Sequence, residues 1–183
     1  WAPRDPFLYD LEVQLLRDGE TVDRATSYFG LREIEVREDG RGLRRFFLNG
    51  EPILPHGLLD QGYWPDGIYT APSDEALRFD LEQTKQLGFN LVRKHVKVEP
   101  ARWYWHCDRL GLMVFQDMPN GDRLTRGIPI GGIAPFDASR WLGARGIRRT
   151  ASSAAIFERE LEASLLHQHG DLPDREGRRH EAV

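Results

Sequence analysis

Residues 90–120 read NLVRKHVKVEPARWYWHCDRLGLMVFQDMPN, and this stretch indicates the fold of the chain. Two short apolar runs, 90–96 and 112–118, are typical of buried strands, and residues 100–110 between them have the spacing of an amphipathic helix. Strands that are joined by a helix pair in parallel, because the chain must cross back over the sheet before the second strand can form. The stretch therefore predicts one unit of a parallel α/β structure.

Charged side chains lie at the C-terminal end of each predicted strand. Arg93 and His95 end the first run, and Asp117 ends the second. In parallel α/β folds the ligand binds at the C-terminal ends of the strands. We therefore expect functional residues at these three positions.

The composition excludes several kinds of partner and site. The chain has 183 residues, of which 40% are hydrophobic and 30% charged, as in a globular protein of one or two domains. A net charge of -4 gives no reason to expect nucleic acid or an anionic membrane as a partner, and no apolar run reaches the ~20 residues of a membrane span. The single cysteine, Cys107, excludes an internal disulfide and a cysteine-based metal site. We expect a buried thiol, and we predict neither a metal nor a cofactor.

Residues 1–50 have the pattern of β-structure. Short apolar or alternating runs are separated by three turn signals, which are Asp18-Gly19, Asp39-Gly40 and Asn49-Gly50. Strands at this spacing favour a β-sandwich. A sandwich domain needs about seven strands and roughly 100 residues, so residues 1–50 correspond to about half of one.

Residues 52–59 are the next apolar run and predict a strand that ends at Asp60. The loop that follows, 61–72, is rich in glycine, proline and aromatic residues, and it contains Tyr63 and Trp64. The rings of such a loop either contact a ligand or pack against their own domain, and the sequence leaves both open.

Two helices with recognisable ends come next. Ser73 is a favourable N-cap for the first, and Gly88 supplies its left-handed C-cap. Gly111 ends the second helix in the same way. Residues 52–118 therefore predict a strand, a helix, a strand, a helix and a strand in succession.

The remaining residues give weaker signals. Residues 121–146 contain many glycines and arginines with little periodicity, which indicates a functional loop or disorder. Residues 154–166 predict a helix. Residues 167–183 are polar and aperiodic, and they predict a disordered tail.

Several strings, taken together and in this order, resemble glycoside hydrolase family 2, the family of β-galactosidases, β-glucuronidases and β-mannosidases. The resemblance covers about residues 1–120 and continues weakly in FERELEA at 157–163. The strings are WAPRDPFLYDLEVQL (1–15), YFGLREIEV (28–36), FFLNGEPILPHGLLDQ (46–61), DLEQTKQLGFNLVRKH (80–95) and CDRLGLMVFQDMP (107–119).

The resemblance implies a mixed β and α/β architecture. Residues 1–50 would be the C-terminal strands of an immunoglobulin-like β-sandwich. Residues 51–166 would be the N-terminal part of a (β/α)8 TIM barrel, whose active site lies at the C-terminal ends of the strands. Residues 167–183 would be the disordered tail.

The resemblance also implies a retaining glycosidase that acts on β-linked sugars in carbohydrate metabolism, with a carbohydrate as its substrate. Such an enzyme uses two carboxyl groups about 5 Å apart, of which one protonates the leaving oxygen and the other attacks the anomeric carbon. In the family these are glutamates at the ends of barrel strands four and seven, and the first follows an Asn. The sequence contains no Asn-Glu pair, so we expect both glutamates outside this chain and no activity from the chain alone. We expect a truncated gene model or a shifted reading frame after the helix around Phe157.

Four polar residues are implied to support substrate binding. Arg93 corresponds to a family arginine near the nucleophile, where a fixed guanidinium orients a carboxylate; the alternative is a surface salt bridge. Asp60 and His95 are placed to hydrogen-bond sugar hydroxyls; for His95 the alternative is a simple structural hydrogen bond. Asp117 is placed to bind a sugar hydroxyl or to support the acid/base, with an N-terminal cap as the alternative.

The aromatic residues divide into two groups. Tyr63 and Trp64 are expected to stack on a sugar face, with packing within the loop as the alternative. Trp103 and Trp105 lie on a predicted outer helix, and we expect them to be packing residues.

Two other functions stay open at this point. The chain could be a non-catalytic carbohydrate-binding or interaction protein that retains part of the pocket. It could also be an unrelated α/β protein with an open doubly wound sheet, but no glycine-rich phosphate loop follows any strand. We expect the isolated chain to be marginally stable or prone to aggregation, because an incomplete barrel leaves a strand edge unpaired. The sequence predicts neither an oligomeric state nor a compartment.

Overall fold

The computed structural model describes residues 1–119 and 151–169, with side chains as far as residue 163. Strands and helices alternate in the second half of this part, as the sequence predicts, so the mixed β and α/β architecture is confirmed. The elements are β1 (Tyr9–Arg17), β2 (Glu20–Phe29), β3 (Ile34–Glu38), β4 (Arg44–Leu48), β5 (Glu51–Ile53), β6 (Gly57–Asp60), α1 (Asp74–Gln86), β7 (Leu91–Lys94), α2 (Ala101–Leu110), β8 (Met113–Gln116) and α3 (Ala151–His169).

The first five strands form two antiparallel sheets. Strands β1 and β2 make a hairpin, and β3, β4 and β5 make a three-stranded sheet in that order. Two hairpin turns have positive φ at both central residues, with 52° and 87° at Asp18-Gly19 and 52° and 80° at Asn49-Gly50. This geometry matches the right-handed twist of paired strands, and it confirms the turns predicted at these positions. Strands β4 and β5 pair across the turn at residue 50, so the sheet runs through the predicted boundary between the domains 1–50 and 51–166. That boundary stays a prediction.

The apolar run at 52–59 does not form one strand, and this prediction was wrong. Its first residues belong to β5, which pairs with β4, whereas its last residues belong to β6, which pairs with β7. Pro55 lies between the two strands and has no N–H to donate to a ladder. The chain therefore leaves the antiparallel sheet here and enters the parallel one.

Strands β6, β7 and β8 form a parallel sheet in sequence order. Ser73 caps the N-terminus of helix α1, and its Oγ accepts a hydrogen bond from the Ala76 N–H at 3.2 Å. The helix ends before Gly88, which has a φ of 89°, and Gly111 ends α2 with a φ of 71°. These left-handed residues let the chain leave each helix toward the next strand. The predicted strand and helix succession is confirmed for β6 through β8.

Helices α1 and α2 pack on the same face of this sheet. Val92 of β7 and Leu112, just before β8, belong to one apolar cluster with residues of both helices. Cys107 is 1% exposed, and its burial raises the pKa of the thiol, which confirms the predicted buried cysteine. The members of the cluster are Leu77, Leu81, Val92, Trp103, Cys107 and Leu112.

The opposite face of the parallel sheet is only partly covered among the described residues, where the Phe46 ring of β4 lies 5.8 Å from that of Phe115. Leu59, Arg93 and Phe115 lie side by side in the strand register on this face, because side chains alternate between the two faces of a sheet. Leu59 is 56% exposed and Phe115 is 40% exposed. A doubly wound sheet carries helices on both faces, whereas α1 and α2 cover only one.

Asp108 of α2 connects the parallel sheet to the antiparallel part. Its carboxylate accepts a hydrogen bond from the Tyr28 hydroxyl at 3.2 Å and one from Arg32 Nη1 at 3.0 Å. Its carbonyl accepts a bond from Trp1 Nε1 at 2.7 Å. Burial and the Asp108 charge both raise the pKa of Tyr28, so its hydroxyl keeps the proton that it donates. These bonds fix the N-terminal hairpin against α2.

The C-terminal helix is longer than the sequence predicts. Helix α3 contacts α2 and continues to His169, so the predicted tail was wrong for its first three residues. The reason is local, because the first residue after Leu166 that disfavours a helix is Gly170. Residues 170–183 and the predicted loop at 121–146 lie outside the described residues. No helix in residues 1–119 or 151–169 is both long and apolar enough to cross a membrane.

Candidate functional site

Polar side chains meet at the C-terminal edge of the parallel sheet. The three strands end in register at Asp60, Lys94 and Gln116. The pairing continues one residue further, because the His95 N–H donates to the Asp60 carbonyl at 2.8 Å and the Asp117 N–H to the Lys94 carbonyl at 3.0 Å. The structure thus brings the predicted residues Asp60, His95 and Asp117 to one edge, while their binding of a substrate stays a prediction.

Arg93 and Asp117 form a two-bond ion pair at this edge. Arg93 Nε donates to Asp117 Oδ1 at 3.0 Å, and Nη2 donates to Oδ2 at 2.9 Å. The fork of two parallel bonds fixes the planes of both groups. The hydrogen bonds from Arg93 and its charge hold the pKa of Asp117 below its usual value, and His95 acts in the same direction. Asp117 is therefore ionised and can only accept hydrogen bonds.

Replacing Arg93 by methionine is expected to raise the pKa of Asp117. The wild-type carboxyl titrates below its ordinary value of 3.8, because Arg93 stabilises the charged form. The pair therefore stabilises the fold above pH 3.8, and this contribution is lost as the pH falls through the lower pKa of the folded state. NMR titration of the Asp117 carboxyl carbon in both proteins measures the shift. Arg78→Met, which removes an exposed arginine from α1 instead, is the matched control, and an unchanged Asp117 pKa in Arg93→Met would contradict the pairing.

Asp60 is held by a buried lysine. Its Oδ2 accepts a bond from Lys94 Nζ at 2.7 Å, and its Oδ1 accepts one from the Gly62 N–H at 2.7 Å. The same Lys94 ammonium pairs with Glu99 at 2.7 Å, and Glu99 also pairs with Lys97 at 2.8 Å. Lys94 is only 1% exposed and Glu99 only 3%. Buried charges persist when they are paired in this way.

The sequence pattern alone does not predict the buried part of this network. Lys94, Lys97 and Glu99 were not predicted as site residues. One signal was present, because Lys94 is two positions after the core residue Val92 and therefore lies on the buried face of the same strand. A lysine in phase with core residues needs a buried carboxylate, and Glu99 follows shortly in the chain.

The loop between β6 and α1 directs the Trp64 ring toward the core and leaves the Tyr63 ring exposed to solvent. Trp64 packs against the apolar core, and its backbone exchanges two hydrogen bonds with Ile68 at 2.8 and 3.0 Å. Tyr63 is 59% exposed, and its hydroxyl lies 2.9 Å from that of Tyr69, which is 50% exposed. Of the two rings predicted to stack on a sugar, only that of Tyr63 faces solvent in this way. Stacking by either ring stays a prediction.

His95 lies beside this loop. Its Nδ1 is 3.2 Å from the side-chain nitrogen of Gln61, which is an amide donor. This contact connects His95 to the loop at the same edge as the ionised Asp117.

The two strand-end carboxylates, Asp60 and Asp117, are suited to bind a polar ligand rather than to transfer a proton to it. A general acid for glycoside cleavage needs a raised pKa, and the pKa of Asp117 is lowered. The carboxylate of Asp60 is fixed by the Lys94 ammonium. Within residues 1–119 and 151–169, no group of three or more His, Cys, Asp or Glu residues could hold a metal ion.

Comparison with known proteins gives consistent matches. Residues 1–32 match the family model "Glycosyl hydrolases family 2". A β-galactosidase of Thermoanaerobacter pseudethanolicus is 34% identical over 120 residues, which are 65% of this chain and 16% of that protein. A β-galactosidase of Enterobacter cloacae is 34% identical over 154 residues, which are 82% of this chain and 14% of that protein.

Solved structures agree with these matches. A β-glucuronidase of Bacteroides uniformis is 27% identical, with a TM-score of 0.57, over 65% of this chain and 14% of that chain. The apo structure of β-glucuronidase 3 from the same organism is 32% identical, with a TM-score of 0.55 and the same shares covered. The chain therefore spans only a small part of the length of each relative that it matches.

Proposed function

We propose that the strand ends of this chain form part of the sugar-binding wall of a retaining glycosidase, because the chain is related in sequence and fold to glycosyl hydrolases family 2. The whole protein cleaves β-linked sugars. In this proposal residues 1–50 end an immunoglobulin-like sandwich, and residues 51–166 begin a (β/α)8 barrel. The relatives named β-galactosidase and β-glucuronidase support the choice of β-linked sugars as the substrate class.

The catalytic carboxyl groups come from elsewhere in the whole protein. A retaining mechanism needs two of them about 5 Å apart, of which one is a proton donor. The 183 residues contain no Asn-Glu pair, and the two carboxylates of the described edge are each bound to a cation. We therefore expect that this chain alone binds a sugar without hydrolysing it.

The ion pair of Arg93 and Asp117 is the observation that carries the proposal. It is 3.0 Å or shorter in both bonds and lies at the edge where barrel enzymes bind substrate. Asp117 is an ionised acceptor for a sugar hydroxyl, and its orientation is fixed by the guanidinium. Arginine has five N–H donors, and two of them bind Asp117. The others are suited to orient a second carboxylate, such as the nucleophile of the whole enzyme.

A non-catalytic carbohydrate-binding protein is the second candidate. The exposed pair of Tyr63 and Tyr69 favours it, because aromatic walls with a few polar groups are typical of small-ligand sites. Both candidates bind the sugar, and they differ in whether the whole protein hydrolyses its glycosidic bond. Turnover by the whole protein supports the first candidate, and binding without it supports the second.

The first test measures binding and turnover on the chain itself. Saturation-transfer NMR with methyl β-galactoside and methyl β-glucuronide detects binding, and release of 4-nitrophenol from the corresponding aryl glycosides detects hydrolysis. We expect binding of at least one sugar and no release of nitrophenol. Asp117→Asn is expected to weaken binding by about fivefold or more, because the charged acceptor is lost.

Asp23→Asn in the exposed hairpin is the matched control, since it makes the same chemical change far from the strand ends. It should leave binding unchanged. Hydrolysis by the chain alone would overturn the placement of the glutamates outside it. Equal binding by wild type and Asp117→Asn would overturn the role given to the strand-end pair.

A further inference from the structure

We propose that Tyr69, positioned by the buried Lys97, forms with Tyr63 an aromatic platform that binds the face of a sugar ring. This inference rests on the proposed function and identifies how the same edge recognises the apolar side of its substrate. Tyr69 would touch the sugar directly, whereas Lys97 acts only by positioning the loop that carries both rings.

The two tyrosines form a defined pair rather than two independent side chains. Their hydroxyls are 2.9 Å apart, and their ring centroids are 4.8 Å apart with an angle of 57° between the planes. The hydrogen bond to Tyr69 raises the pKa of Tyr63. Because both rings stay half exposed or more, the pair offers an aromatic surface to solvent.

Lys97 closes the loop that carries these rings. Its ammonium donates to the Gly62 and Tyr69 carbonyls at 2.8 Å each. It also pairs with Glu99 at 2.8 Å and is 8% exposed. A lysine has three N–H donors, and these three acceptors use all of them. The two carbonyls lie at opposite ends of the segment 62–69, so one buried side chain fixes the span of the platform.

Gly62 shows how closely the loop approaches this lysine. Its φ is 65°, a conformation that favours glycine. A Cβ at this position would lie 2.4 Å from Glu99 Oε1 and 2.8 Å from Lys97 Nζ. Only glycine lets the backbone pass this close to the buried charges.

The platform lies next to the polar strand ends. The Gly62 N–H is bound by the Asp60 carboxylate, and Gln61 is bound to His95. A sugar ring has hydroxyls at its rim and C–H groups on its faces. A bound sugar can thus place its hydroxyls toward His95 and Asp117 while one face rests on one tyrosine ring and its edge contacts the other, which is inclined by 57°.

The test combines ring substitutions with the positioning variants. Tyr63→Ala and Tyr69→Ala are each expected to weaken sugar binding by about fivefold or more, as for loss of a stacking ring in a binding site. Tyr9→Ala, which removes an exposed ring from β1, is the matched control and should change nothing. Wild-type binding is measured with the same two methyl glycosides, and the ring proton signals of Tyr63 and Tyr69 are followed during the titration.

Lys97→Met is expected to weaken binding to the same extent although it touches no sugar. Lys97→Arg keeps a charged donor at this position and should restore part of the affinity. In the wild type, sugar should shift the ring signals of both tyrosines, and in Lys97→Met it should shift neither. Circular dichroism of each variant shows that the fold is retained, so a general loss of structure is recognised separately.

The outcomes separate this inference from the proposed function. If Tyr69→Ala binds sugar as the wild type does while Asp117→Asn does not, the platform is wrong and the sugar-binding edge stands. If Lys97→Met keeps both affinity and ring shifts, the positioning role is wrong. If the wild-type chain binds neither glycoside, both the platform and the proposed function are overturned.

Discussion

Replacing Lys94 by methionine is expected to lower the free energy of unfolding by about 3 kcal/mol, as for loss of one partner from a buried ion pair. Lys94 is 1% exposed and is the only cation paired with Asp60 among the described residues. Methionine fills the same space but leaves Asp60 and part of the Glu99 charge uncompensated. The loss is at the lower end of the expected range because Lys97 still pairs with Glu99.

Urea unfolding followed by circular dichroism measures this loss. If the wild-type chain is less stable than the expected cost, the variant will show no cooperative transition. Arg78→Met is the control, because its pair with Glu82 has side chains 51% and 39% exposed, and it should cost about 0.5 kcal/mol or less. A Lys94→Met protein as stable as the wild type would mean that the buried network does not hold the strand ends together.

Replacing Trp103 by alanine is expected to destabilise the fold by about 3–5 kcal/mol, the usual cost of removing a large core side chain. Trp103 is 2% exposed and packs between α2 and the sheet. Its ring contacts Tyr104 edge-on at 5.0 Å, and the Lys94 ammonium lies 4.4 Å from its centroid. Alanine therefore opens a cavity in the core and removes the aromatic face against which Lys94 is buried.

Trp105→Ala on the same helix is the comparison. Its ring packs on Arg109 at 4.7 Å and on His106 at 4.8 Å and remains partly exposed. We expect a loss of about 1 kcal/mol, as for an ordinary point substitution. Circular dichroism is again the measurement, because both changes remove a fluorophore. Equal losses for the two variants would contradict the difference in burial.

Local chemistry made much of the fold predictable. Ser73, Gly88 and Gly111 act through their own side chains or φ angles, so the helix ends follow from single residues. The apolar run at 52–59 was misread because its interruption depends on a change of partner strand. Only Pro55 marks that change in the sequence, and a proline alone does not show which strands will pair.

In the candidate site, the residues at the strand ends are predictable from the sequence, whereas the bonds between distant segments are not. Arg93, His95 and Asp117 could be placed because the rule for parallel strand ends needs only the strands themselves. The bonds of Lys97 to Gly62 and Tyr69 could not, since they join segments that meet only in the folded chain. Which ring of the loop turns inward, that of Trp64, is likewise decided by contacts with the core that no periodicity reveals.

The order of the parallel strands has a consequence for how this edge is made during synthesis. Strands β6, β7 and β8 pair in the order in which they occur in the chain, so the sheet forms from one continuous segment. Asp60, Lys94, Lys97 and Glu99 all lie within the same βαβα segment. These charged groups can therefore be paired once residues 57–116 have been made, before any later residue is needed.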